Sequence, residues 1–182
     1  MPLLDGQVHH DTHAVPMGNY VIAVRNYVIV SPSELGNYKI ADTDGELDSP
    51  EEGARFLAAL RSDLWVRDDS WTRMEAEHAK AHLRMWTDLT RLAPRGYAAP
   101  PASLLAFTAW QLGDGALANV ALDRALADTS DYSMASLIRD ALDAGAPPSM
   151  ARLPMTPELV ADSYLMAAEA EDHAEKAGAE TM

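Results

Sequence analysis

At Ser49 the apolar residues change their period, and that change constrains the fold more than any other feature of the chain. Before it, Tyr20-Val21-Ile22-Ala23-Val24-Arg25-Asn26-Tyr27-Val28-Ile29-Val30 is dense in β-branched and aromatic residues, the composition of a strand. The run reads as one long strand or as a hairpin turning near Arg25-Asn26. Asn-Tyr-Val-Ile occurs at both 19 and 26, either as two short paired strands or as a chance repeat. Another short strand, Tyr38 to Ala41, follows the Ser31-Pro32 and Gly36-Asn37 breaks. Two or three strands alone are marginal in water, so this sheet must pack on helices or pair across a partner. Because strand 19–30 has few charges to guard its edge, it is a candidate homodimer contact.

After the change the pattern is helical. Ser49-Pro50-Glu51-Glu52 combines an N-cap, an early proline and two acids in the first turn. The helix it starts carries Phe56, Leu57 and Leu60 and is expected to run to about Ser62. Trp71, Met74, His78, Met85, Leu89 and Leu92 recur at helical spacings and predict one long helix from Asp69 to Leu92, ended by Pro94 and Gly96. Taking Pro100-Pro101 as a stop, three helices are expected at 102–112, 115–128 and 133–144, closed by Gly145 and Pro147-Pro148. A last helix starts at the Thr156-Pro157-Glu158 cap and runs into the mid-170s.

These elements predict an α+β fold, mainly α, in which a short N-terminal β-hairpin or small sheet precedes a helical bundle. A chain of 182 residues suits one domain and can bury a core without staples. The expected organisation is a flexible leader at 1–18, where Met17 is a candidate native start, one α+β domain at 19–152 with strands within 19–41 and helices within 50–145, and an acidic helix at 153–182. Cysteine is absent, which excludes disulfides, thiolate metal sites and cysteine nucleophiles. Met1 to Gly6 has neither a basic nor an apolar leader region, and no apolar stretch reaches the roughly 20 residues that span a bilayer. The expectation is therefore a cytoplasmic protein with no membrane contact.

Between Ala102 and Gly145, Leu105 and Ala109 share one helical face. Gly113-Asp114-Gly115 then makes a turn, and Ala118, Leu122 and Ala125 recur on the next helix. That order resembles a tetratricopeptide repeat, in which small residues let two helices approach and a large one fills the groove. Trp110 stands late in the first helix rather than at the repeat's tryptophan position, Ala102, and Ser130 replaces the usual terminal proline. A wider set comprises Val66-Arg67-Asp68, His82-Leu83 with Trp86, Leu104-Leu105-Ala106 with Trp110, Gly113-Asp114-Gly115-Ala116-Leu117-Ala118, Ala121-Leu122, Arg124-Ala125-Leu126, Tyr132-Ser133 and Pro147-Pro148. From about Leu60 to Pro148, this set resembles the C-terminal helical part of the actinobacterial "domain of unknown function 4192" family. Members of that family are usually longer, with a large N-terminal α/β portion that residues 1–50 do not resemble. The resemblance implies a helical module and carries over no catalytic residue.

His78 and His82 are one helical turn apart near Glu75 and Glu77, a spacing that can chelate zinc, although satisfied packing histidines are the simpler reading. His9, His10 and His13 form a second cluster in the leader, where metal binding would be adventitious. Asp42, Asp44, Gly45, Leu47, Asp48 and Glu51 match positions 3, 5, 6, 8, 9 and 12 of a calcium-binding EF-hand loop within residues 42–52. Ile40 stands at position 1, however, and strand precedes it, so a solvated acidic turn is the alternative. Phosphate-cradling glycine loops, nucleophile elbows and His-Glu-x-x-His are missing, so no cofactor or catalytic residue is assigned. Trp65, Trp71, Trp86 and Trp110 suit core packing.

The leading functional expectation is a non-catalytic protein–protein interaction module that docks a protein segment in a TPR-like groove around Trp86, Leu105, Trp110 and Leu122. One alternative is an acidic nucleic-acid mimic that occupies a basic DNA-binding protein. Another is a metal-dependent enzyme using His78 and His82. The net charge of −14 makes nucleic acid itself a poor partner. That charge is uneven, because residues 42–52 carry six acids and no base, and residues 158–180 carry seven acids and one base. The remainder is nearly neutral and can present a local patch to an anion.

Overall fold

The computed structural model describes residues 27–30, 37–41, 45–47, 49–74, 78–152 and 155–180. The leader, its histidines, Met17, residues 19–26 of the expected strand, and Asp42, Asp44, Asp48, Glu75 and Glu77 lie outside them.

The α+β expectation is corrected, because the domain is all-α. Among the described residues, seven α-helices build it: α1 (Pro50–Ser62), α2 (Leu64–Thr72), α3 (Ala79–Leu92), α4 (Ala99–Gln111), α5 (Gly115–Asp128), α6 (Ser133–Asp143) and α7 (Pro157–Glu180). Among the described residues, the buried cluster from Phe56 to Val160 lies wholly on these helices and the turns that adjoin them. Among the described residues, extended pairing comprises β1 (Tyr27–Val30) and β2 (Asn37–Ala41), which run antiparallel with Val28 opposite Lys39, and a single bridge at Leu47. Two strands of that length make no layer of a fold, and the N-terminal hairpin or small sheet does not set the class. Where the Val- and Ile-rich run is described it is strand, at Tyr27–Val30, as its β-propensity suggests, and the strand expected at 38–41 lies within β2.

The centre of the domain is α4, in which every residue from Ala99 to Trp110 is buried. A helix apolar on all sides is stable only when other helices cover it, and α1, α3, α5 and α6 pack around this one. Its two hydroxyls are satisfied within the helix, with Ser103 Oγ donating to the Ala99 carbonyl at 2.8 Å and Thr108 Oγ1 to that of Leu104 at 3.0 Å. Pro100 and Pro101 do not stop the helix, as their position suggested. They stand in its first turn, where a missing N–H costs no hydrogen bond.

The expected helix 69–92 is divided. After Thr72 the chain leaves the helical path, and Gln111 Nε2 on α4 takes the Met74 carbonyl at 3.1 Å. The helical period is kept on both sides of the break, and Met74 and Met85 are both buried. The hairpin of α4 and α5 turns at Gly113 (φ +77°), and Asp114 caps α5 by accepting from Leu117 N at 2.9 Å. The last helix extends to Glu180, beyond the mid-170s.

Candidate interaction surface

Helix α3 has two unlike faces. Ala79, His82, Met85, Trp86 and Leu89 are buried against the core. On the outward side Lys80, Arg84, Thr87 and Arg91 follow at intervals of four, three and four, forming one stripe along the helix. With Leu83 and Asp88 they line an open cleft of about 390 Å³.

One end of this face is covered by the acidic turn before α1. Gly45 has φ +81°, and a Cβ there would lie 2.0 Å from the Ala81 carbonyl oxygen, so only glycine lets this turn rest directly on α3. Glu46 Oε2 then accepts from an Arg84 terminal nitrogen at 3.1 Å. Arg91 pairs with Asp88 at 3.6 Å. Both ion pairs are solvent-exposed, with 51% of the Arg84 side chain and 77% of the Arg91 side chain accessible. Pairs of this kind hold no more than about 1 kcal/mol and exchange readily with an incoming carboxylate.

The other end of α3 is held by a polar clasp that gave no signal in the sequence. Asp128, at the end of α5, accepts from the backbone N–H of Gly96 at 2.7 Å, Ala98 at 2.9 Å and Ala99 at 3.2 Å. It caps α4, whose own N-cap residue, Ala98, offers no side-chain acceptor. Arg61 Nε donates to the Gly96 carbonyl at 2.8 Å, and Arg124 donates to that of Ala93 at 3.3 Å. Two helices, α1 and α5, therefore grip the α3–α4 connection and fix the direction in which α3 presents its outward stripe.

The residues expected to line a groove lie elsewhere. Trp86 and Leu122 are fully buried, and Leu105 and Trp110 are buried within the same cluster. Trp86 packs 5.9 Å from Phe56 between ring centroids, and Trp110 Nε1 donates to the Ala146 carbonyl at 3.1 Å. These four side chains sit in the buried core and not on an open face, packed where the small residues of α5 let α4 approach closely. His82 is also buried, and desolvation, with a further contribution from His78, lowers its pKa to about 4. His78 is exposed at the head of α3. No group of three or more potential metal ligands occurs among the described residues.

A second polar cluster fastens α7 to α2. Asp68 accepts from Arg67 Nε at 2.6 Å and, through its other oxygen, from the Tyr164 hydroxyl at 2.7 Å. The Arg67 guanidinium lies 5.8 Å from the Tyr132 ring centre. Burial and the bond to Asp68 hold the Tyr164 hydroxyl well above the usual tyrosine range. Burial likewise raises Tyr132. Nearby, Arg73 makes a two-pronged bond to the buried Asp69, at 2.6 and 2.5 Å. The Asp68 and Asp128 carboxylates join separate elements, whereas Asp69 pairs within the end of α2.

An all-α domain with one cationic helix face, and no cluster of metal ligands among its described residues, defines a class by architecture rather than chemistry. The chain belongs to the DUF4192 family, a domain of unknown function whose family model matches residues 38–149. Neither a curated protein nor a solved structure matches the chain. Among the described residues, no helix is long and apolar enough to cross a membrane.

Proposed function

We propose that this chain is a non-catalytic protein-interaction module whose docking surface is the outward face of α3, and that the surface takes an acidic protein segment. The observation that carries this reading is the cleft itself. Lys80, Arg84 and Arg91 present three cations against Asp88, with Leu83 and Thr87 between them as apolar footing. An acidic segment is repelled by residues 42–52 and 158–180, which carry most of the net charge of −14, and finds its local minimum where cations are concentrated. The clasp around residues 93–99 keeps that face rigid, which reduces the entropy lost on binding.

The reading is tested by amide-resolved titration with a helix-forming peptide rich in glutamate and alanine. Shifts should concentrate on residues 79–92 and weaken as salt is raised. The Lys80→Glu, Arg84→Glu, Arg91→Glu variant should retain its helicity and lose binding. Shifts spread over the core, or binding by that variant at full strength, would reject it.

A further inference from the structure

We propose that Glu46 is a built-in competitor for the α3 cleft, holding Arg84 in the unliganded protein and leaving it when an acidic segment docks. This inference rests on the docking surface proposed above and adds its regulation.

The turn that carries Glu46 is pinned on both sides. On one side Gly45 is buried with its backbone directly on α3, where a Cβ would lie 2.0 Å from the Ala81 carbonyl oxygen. On the other, Leu47 packs against the core beside Gly53 of α1, with its Cδ1 3.5 Å from where a Cβ would stand, next to Leu89 and Leu92 of α3. Two fixed residues leave little backbone freedom to the one between them. Glu46 therefore meets Arg84 at 3.1 Å although 38 positions separate them in sequence.

The side chains of the pair are held far less firmly than the turn. Glu46 is 66% accessible and Arg84 is 51% accessible, so the carboxylate can swing off the guanidinium while Gly45 and Leu47 stay in place. Arg91 differs, because its partner Asp88 belongs to α3 itself, whereas Glu46 is brought to the stripe by a separate turn. That turn has the chemistry of the proposed ligand. Residues 42–52 hold six acids and no base, so an acidic segment of this chain already rests on the cation between Lys80 and Arg91. A ligand carboxylate takes the place of Glu46 at Arg84, and its affinity is lowered by the fraction of molecules in which the pair is closed.

The test is the affinity of the glutamate- and alanine-rich peptide at low salt, measured by calorimetry and mapped by amide shifts. Glu46→Gln should keep its helicity and bind about threefold tighter than the unaltered chain, the range open to an exposed ion pair. Asp140→Asn removes an equal charge from an exposed position on α6, and it should bind within about 1.5-fold of the unaltered chain. In an Arg84→Gln background the gain from Glu46→Gln should fall below about 1.5-fold, because the competition acts through that cation. Gly45→Ala keeps every charge but forces the turn away from Ala81, and it should tighten binding in the same direction. A gain of equal size in Asp140→Asn, or one that persists in full in the Arg84→Gln background, overturns the proposal, since either marks general repulsion instead of competition. If the peptide maps to α3 but Glu46→Gln binds no tighter, the docking surface stands and the competitor is rejected. If the peptide maps to α3 in neither chain, the docking surface is rejected and the competitor with it.

Discussion

Helices α4 and α7 both begin with proline near their first turn, yet they occupy opposite extremes of this fold. The 13-residue α4 is buried from Ala99 to Trp110 and receives its N-terminal cap from Asp128 on another helix. The 24-residue α7 has a local cap, with Leu159 N donating to Thr156 Oγ1 at 3.4 Å, and among its described residues Val160 and Tyr164 hold it to the body. The difference separates two tasks. One helix organises the domain and is costly to alter, whereas the other has described side chains, Met166 and Glu169 among them, that are exposed and cheap to alter.

The comparison breaks most visibly under truncation of an apolar side chain. Leu104 is fully buried on α4, so Leu104→Ala should cost about 3–4 kcal/mol, the sum of lost burial and a residual cavity. Met166→Ala on α7 should stay within about 0.5 kcal/mol. Urea unfolding of the two variants measures both. Similar costs would mean that α7 is packed as tightly as α4.

A smaller effect comes from His82, which α3 buries behind its cationic stripe. Its pKa is about 4 when folded and near 6.5 when unfolded, so the unfolded chain binds more protons between those values. Stability from this group is full above about pH 6.5, falls as pH drops, and is spent below about pH 4. The shift corresponds to about 3 kcal/mol. Unfolding midpoints taken from pH 7 to pH 4 should show this loss, and His82→Gln should flatten the slope. An unchanged slope in the variant would assign the acid sensitivity to other groups.

Asp128→Ala should cost about 2 kcal/mol, because three backbone donors at the head of α4 lose a charged acceptor together. Amide exchange should quicken from Gly96 to Ala102 and remain slow in α5. Asp128→Asn keeps an acceptor without the charge and should recover about half.

What could be read from sequence follows the range of the interaction that decides each feature. The starts of α1 and α5 are set by caps three residues from their targets, at Ser49 and Asp114, and both starts were legible. Asp128 acts across 29 to 32 positions and Gln111 across 37 to Met74, and neither separation leaves a periodic trace. Hence Pro100-Pro101 read as a stop, and the break after Thr72 was hidden by the continuing period. The cleft was missed because Trp86 and Leu105 drew attention to an apolar groove, whereas it lies on the face of α3 opposite Trp86. The stripe of Lys80, Arg84 and Arg91 stands in the sequence, but a charged helical face ordinarily marks solvent. The docking of Gly45 and the open volume beside it distinguish this one.

A smaller loss than that of Asp128 lies where the two regions meet. Tyr164 joins α7 to α2 through one hydrogen bond to Asp68, and Tyr164→Phe removes that bond while keeping the ring. Because Asp68 retains Arg67 and is partly exposed, the cost should be about 1 kcal/mol and should be local. Amide exchange should accelerate from Leu159 to Met166 by about fivefold and leave α4 unchanged. A variant that exchanges faster throughout the domain would place Tyr164 in the core network, and the division between an organising helix and one that is cheap to alter would not hold.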